Sequence, residues 1–129
     1  MYRIGVIRTL GASHYLTGAD FGAEGRLHPH DYRVEWTLTG PELDALGFLV
    51  NLELVTATLE GLLAGLEGRT LNDLPGWKGL NPSVERLARH LADHLAGAKA
   101  RWDPESRVTE LEVKVWENPT AWASWTARP

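Results

Sequence analysis

Glu24-Gly-Arg-Leu-His28-Pro-His30-Asp-Tyr32-Arg-Val34-Glu-Trp36-Thr-Leu38 is the stretch on which the reading of this chain turns. Tyr32, Val34, Trp36 and Leu38 alternate with Arg33, Glu35, Thr37 and Thr39, the period of a half-buried strand, and the alternation stops at Gly40-Pro41. His28 and His30 share the parity of Tyr32 and Val34. A strand that is regular from His28 onward therefore carries both imidazoles on one face. Pro29 must then sit at an edge or at the strand's start, because it has no N–H for a ladder. Two ligands fixed this way need a third. His14, in Gly11-Ala-Ser-His14-Tyr-Leu, is close enough in sequence to lie on the paired strand of a hairpin. Three neutral imidazoles form a tetrahedral Zn²⁺ site with one position open, the pattern of catalytic zinc. The competing reading is a chance pair of surface histidines, which an isolated H-x-H also allows.

The 129 residues suit one domain over 1–129, small for an enzyme with an enclosed pocket unless the site is shared between subunits. Apolar residues at 43% and charged residues at 23% are ordinary globular values and exclude a disordered chain. The net charge is −4 and the basic residues are scattered, which argues against nucleic acid as a partner. With no cysteine present, disulfides and thiolate chemistry are absent, and any metal falls to His, Asp or Glu. Met1-Tyr-Arg-Ile-Gly-Val-Ile-Arg8 alternates and so reads as neither signal peptide nor membrane span. A soluble cytoplasmic protein with no membrane partner is the expectation.

Tyr2 to Leu10 reads as a first strand ending at Gly11. Thr17 to Leu27, with Gly18, Gly22 and Gly25, reads as a flexible loop. Leu52, Val55, Leu59, Leu62, Leu63 and Leu66 fall on one stripe of a helix that ends near Gly65 or Gly68. A second helix is expected to open at Asn81-Pro82, with asparagine as cap and proline in the first turn, and Val84, Leu87, Ala88, Leu91, Leu95 and Ala98 form its apolar stripe. His90 and His94 lie four apart on it and read as a solvated or packed pair rather than a metal site. Val108 to Trp116 forms a third strand with Leu111, Val113 and Val115 inward. Glu117 continues that inward parity, and a buried carboxylate must be paired or hydrogen-bonded. Thr120 to Arg128 reads as a fourth strand with Trp122 and Trp125 to pack. The class is α+β in the order ββααββ.

This order and its motifs resemble the 6-pyruvoyl-tetrahydropterin synthase and 6-carboxy-tetrahydropterin synthase family, of the tunnelling fold, over nearly the whole chain. Ala12-Ser-His14 resembles the family's A-x-H, and His28-Pro-His30-Asp-Tyr32 its H-G-H-x-Y, with proline for glycine. Gly47-Phe-Leu-Val-Asn51-Leu52 is similar to the segment that leads into the first helix. Leu71-Asn72-Asp73 and Asn81-Pro-Ser83-Val-Glu85-Arg-Leu-Ala88 resemble L-N-D and N-P-T-x-E-N-x-A, and Val115-Trp-Glu117-Asn118 resembles V-x-E-T. The resemblance implies a four-stranded antiparallel sheet with two helices on one face. It also implies homo-oligomers, trimers or hexamers, that close into a barrel with active sites between subunits. By the same resemblance His14, His28 and His30 hold Zn²⁺, Glu117 takes the amino-pyrimidinone edge of a pterin, and Asn72 and Ser83 join the substrate-binding set.

The chain departs from the family pattern at two places. Glu24 stands where well-known members carry a catalytic cysteine, and Glu67-Gly68 stands where they carry an Asp-His dyad. A glutamate has a far lower intrinsic pKa than a thiol and serves as a base near neutrality only when its pKa is raised. A subgroup with glutamate at that position resembles an aldolase-like branch, which cuts dihydroneopterin triphosphate to 6-hydroxymethyl-dihydropterin. Glu24 is then the expected base and Glu67 its assistant, although each also reads as a solvated loop carboxylate. The expected function is a zinc-dependent lyase of aldolase type on a dihydropterin side chain. The alternatives are a non-catalytic zinc- and pterin-binding homologue, and a zinc-assisted reaction on another pterin- or purine-like ring.

Overall fold

A computed structural model of the chain describes residues 1–129. Four strands, β1 (Tyr2–His14), β2 (His28–Gly40), β3 (Glu110–Asn118) and β4 (Ala121–Ala127), form one antiparallel sheet in the order β1-β2-β3-β4. Two helices, α1 (Leu52–Ala64) and α2 (Val84–Gly97), are inserted between β2 and β3, and a short helix, α3 (Lys99–Trp102), follows them. The expected element order holds, with α3 added. No helix is long and apolar enough to cross a membrane.

Alternation fixes which face of the sheet is covered. Leu10 and Ala12 of β1, Tyr32, Val34, Trp36 and Leu38 of β2, and Leu111, Val113 and Val115 of β3 are all buried on the helix side. Helix α1 adds Val55, Leu59 and Leu63 to this core, and α2 adds Leu87, Ala88, Leu91, Ala92 and Leu95. Trp36 and Trp102, both fully buried, meet edge to face with ring centroids 5.2 Å apart. Asn51 caps α1, its side chain accepting from Glu53 N.

Three local expectations change. Strand β1 does not stop at Leu10 but runs on through Gly11 to His14, because its outer edge there is clamped from the segment after α1. Glu67 Oε2 accepts from Gly11 N at 2.9 Å, Gly68 N donates to Gly11 O at 2.8 Å, and Ser13 N donates to Arg69 O at 2.9 Å. The N-cap of α2 is Ser83, whose Oγ accepts from Arg86 N, rather than Asn81. The Asn81 amide is engaged elsewhere, accepting from Thr17 N and donating to Thr17 O. Trp122 and Trp125 do not enter the core. They are three residues apart and so lie on opposite faces of β4, where Lys114 covers Trp122 and Arg89 covers Trp125.

Candidate metal centre and pocket

The β1–β2 register sets His14 directly opposite His28 and Ala12 opposite His30. All three histidines are on the helix side of the sheet, at the end where β3 no longer accompanies β2, whose pairing with β3 stops at Arg33–Trp116. Pro29 lies beyond that last pair, so its missing N–H leaves no ladder bond unmade. The three imidazoles converge with ring centroids 4.5, 4.9 and 4.9 Å apart.

Backbone carbonyls decide which nitrogen each ring presents. His14 Nδ1 lies 2.7 Å from Pro82 O, and His28 Nδ1 lies 2.6 Å from Arg26 O. A carbonyl only accepts, so both Nδ1 atoms carry hydrogen and both Nε2 atoms turn an acceptor lone pair inward when neutral. His14 Nε2 is buried with no hydrogen-bond partner. Burial keeps the His14 pKa below the ordinary histidine range, with the Pro82 carbonyl opposing and the neighbouring His28 and His30 reinforcing that shift. His28 Nε2 and His30 Nε2 are 3.1 Å apart. An orphaned buried lone pair beside two more ring nitrogens is what a divalent cation satisfies, and nitrogen-only sites of this kind suit Zn²⁺.

Two carboxylates flank the rings. Glu24, on a 3-10 turn over Gly22–Gly25, places Oε2 2.9 Å from His28 Nε2. Ligand atoms of His14, Glu24, His28 and His30 all lie within 4.8 Å of one another. Glu117, continuing the inward parity of β3, places Oε1 3.4 Å from His30 Nε2 on the other side and is half-buried. Beneath them the buried Tyr32 ring packs 5.3 Å from His30, and its phenol pKa is pushed up by burial first and then by the charges of Glu117 and Glu24.

The remaining candidates sit around this centre rather than in it. Asn72 accepts from Tyr15 N at 3.0 Å and donates to Tyr15 O at 2.9 Å, so its amide stands in for a neighbouring strand's peptide immediately after His14. Glu67 is engaged with Gly11, three residues before His14, and lies outside the four-residue cluster. Ser83 caps α2 beside Pro82, the residue whose carbonyl orients His14. The carbonyls of Arg26 and Pro82 and the amide of Asn81 have no reading in the sequence as parts of a site. Backbone acceptors carry no residue signature, and Asn81 reads there as a helix cap. His90 and His94 pack against each other, and His90 against Trp77.

The model of the 6-pyruvoyl tetrahydropterin synthase family matches residues 3–128. The chain is 30% identical over 118 residues to the 6-carboxy-5,6,7,8-tetrahydropterin synthase of Bacillus subtilis, covering 88% of this chain and 77% of that one. Among solved structures, the 6-pyruvoyl tetrahydropterin synthase of Caenorhabditis elegans superposes with a TM-score of 0.80 at 19% identity, covering 98% of this chain and 95% of that one. A Plasmodium vivax 6-pyruvoyltetrahydropterin synthase mutated at a catalytic glutamate superposes with a TM-score of 0.71 at 16% identity, over 100% of both chains.

Proposed function

The chain belongs to the 6-pyruvoyl tetrahydropterin synthase family and has its tunnelling fold, and from that premise we propose that it is a zinc-dependent lyase of aldolase type. Its substrate is a dihydropterin with a polyol side chain, dihydroneopterin or its triphosphate, and its product is 6-hydroxymethyl-dihydropterin. The observation that carries this reading is the Glu24 carboxylate against a three-histidine cluster, where a thiol is impossible in a chain without cysteine.

In this reading Glu117 accepts the paired N–H donors of the amino-pyrimidinone edge, a match of fork to carboxylate. His14, His28 and His30 hold Zn²⁺, which supplies Lewis-acid polarisation of a side-chain oxygen when bound. Glu24 takes the proton of a side-chain hydroxyl. The adjacent C–C bond then breaks, the hydroxyl carbon leaves as a carbonyl fragment, and the electron pair enters the C=N of the ring. A proton delivered to the remaining carbon completes the hydroxymethyl product. Asn72, Ser83 and Glu67 serve by position: the first two fix Tyr15 and Pro82 on either side of His14, and Glu67 holds the strand edge at Gly11. The Plasmodium vivax relative, whose catalytic residue is likewise a glutamate, supports giving chemistry to Glu24. The setting proposed is a cytoplasmic homo-oligomer, a trimer or hexamer, in which the open edge strands β1 and β4 pair between subunits.

Zinc-loaded protein incubated with dihydroneopterin and with its triphosphate, with products identified by mass, tests the proposal. A product smaller by the lost carbonyl fragment, absent from Glu24→Ala, is expected. Pterin binding without turnover would instead favour a non-catalytic homologue. One observation speaks for that second reading. Gly68, at the place of the dyad's histidine, has φ +73° and donates its N–H to Gly11 O, so the backbone there is built for glycine.

A further inference from the structure

We infer that Glu24 is the fourth ligand of the cation held by His14, His28 and His30, so that the centre is closed at rest and opens when this carboxylate leaves. The inference rests on the reading of the cluster as a zinc centre and adds a second state to it.

The geometry is that of a four-cornered set. With bonds of about 2.0–2.2 Å to nitrogen and oxygen, the ligand atoms of a tetrahedral Zn²⁺ lie about 3.3–3.5 Å from one another. The Glu24 Oε2–His28 Nε2 separation is 2.9 Å and the His28 Nε2–His30 Nε2 separation is 3.1 Å, and no pair in the set exceeds 4.8 Å. Without a cation these atoms oppose each other. His28 Nδ1 already donates to Arg26 O, so its Nε2 must face both the Glu24 oxygen and the His30 nitrogen. A single proton on Nε2 serves one of those neighbours and leaves the His14 lone pair buried and unpaired. One cation satisfies all four. Glu117 stands apart, close to His30 but outside the set, which leaves it for substrate.

The segment that carries Glu24 is suited to letting go. Its side chain is 53% exposed, and its turn lies between Gly22, at φ +58°, and Gly25. Its backbone is tethered through Leu16 N to Glu24 O at 2.9 Å, so the carboxylate can rotate away without disturbing β1 or β2. Held on the cation, Glu24 is unavailable as a base and bars other ligands. Released by an arriving substrate, it becomes a free carboxylate beside the reacting side chain. A base that is unmasked only on substrate binding limits idle chemistry at the open site.

The test uses full-length protein stripped of metal, reloaded with one equivalent of Co²⁺ and followed by its visible absorption. Imidazole is the probe, because it is neutral and Glu24 cannot exclude it by charge. The expected result is that Glu24→Ala responds to imidazole at concentrations at least tenfold lower than wild type. By chelator competition, Glu24→Ala is also expected to bind Co²⁺ about 10- to 100-fold more weakly, at least the loss that follows removal of an outer-shell partner. Equal imidazole response in the two proteins, with Co²⁺ bound to both, overturns the inference and leaves the zinc-centre reading standing. Failure of wild type to take up Co²⁺ removes that reading, and the inference with it. Because Glu24 is half-exposed on a loop, the substitution leaves the core untouched.

Discussion

The Nδ1 atom of His14 lies 2.7 Å from the carbonyl oxygen of Pro82, 68 residues further along the chain. That contact ties the start of α2 to the three-histidine cluster, since the next residue, Ser83, caps the helix through Arg86 N. Ser83→Ala is expected to cost about 1 kcal/mol of stability, the usual worth of such a cap. As the Pro82 carbonyl loosens, metal affinity should fall about tenfold or more, because groups that orient a ligating histidine matter at that level. Ser83→Asp restores the cap and should recover both. Denaturant titration and chelator competition on the same three proteins read the two effects. A stability loss with unchanged metal affinity would separate the cap from the centre.

The two buried tryptophans give a second comparison. Trp102 donates its Nε1–H to Leu95 O at 2.8 Å, whereas Trp36 Nε1 is buried with no partner. Both rings lose similar volume on change to phenylalanine, so the cavity terms are comparable. Trp102→Phe also removes a hydrogen bond to the Leu95 carbonyl, which keeps only the Ala98 N–H at 3.1 Å, while Trp36→Phe removes an unsatisfied donor. Trp102→Phe should therefore be the more destabilising by about 1–2 kcal/mol. Equal losses in urea denaturation would mean that the Trp36 indole finds a partner after all.

The strands of this fold are legible because period-2 alternation is a local property, and Tyr32 to Leu38 and Leu111 to Val115 carry it cleanly. The path of His14 to the centre is legible in part. The hairpin places it near His28, but Gly11 reads as a stop because the clamp that extends β1 past it comes from Glu67, 56 residues away. The same distance effect hides the α2 cap. Asn81 and Ser83 are both good capping residues, and the choice between them is made by the Thr17 backbone, which captures Asn81 from 64 residues off. Trp122 and Trp125 look like core by size, yet a spacing of three on a strand puts them on opposite faces. Glu24 lies in a glycine-rich loop with no periodicity to orient it, so only the resemblance to a family singles it out. Its distance to His28 is a product of the fold.

His90 gives the pH dependence that follows from burial. Its pKa is held below the ordinary value first by desolvation and next by the neighbouring His94, against the attraction of Asp93. The groups facing it are the Trp77 ring from the loop before α2, and His94 and Asp93 on α2 itself. The sign follows from proton counting. As pH falls below about 6.5, the unfolded chain takes up the proton first, so the unfolded state binds more protons and stability falls with it. Above that pH both states are neutral and the contribution is constant. His90→Phe keeps a ring on Trp77 and binds no proton. Its stability should therefore decline less steeply than wild type between about pH 6.5 and 5, with the two curves parallel above pH 7.5. Denaturation midpoints across that range measure the difference. A wild-type curve no steeper than that of His90→Phe in the acid window would mean that His90 is as easily protonated folded as unfolded, and the Trp77 contact would then not be shielding it.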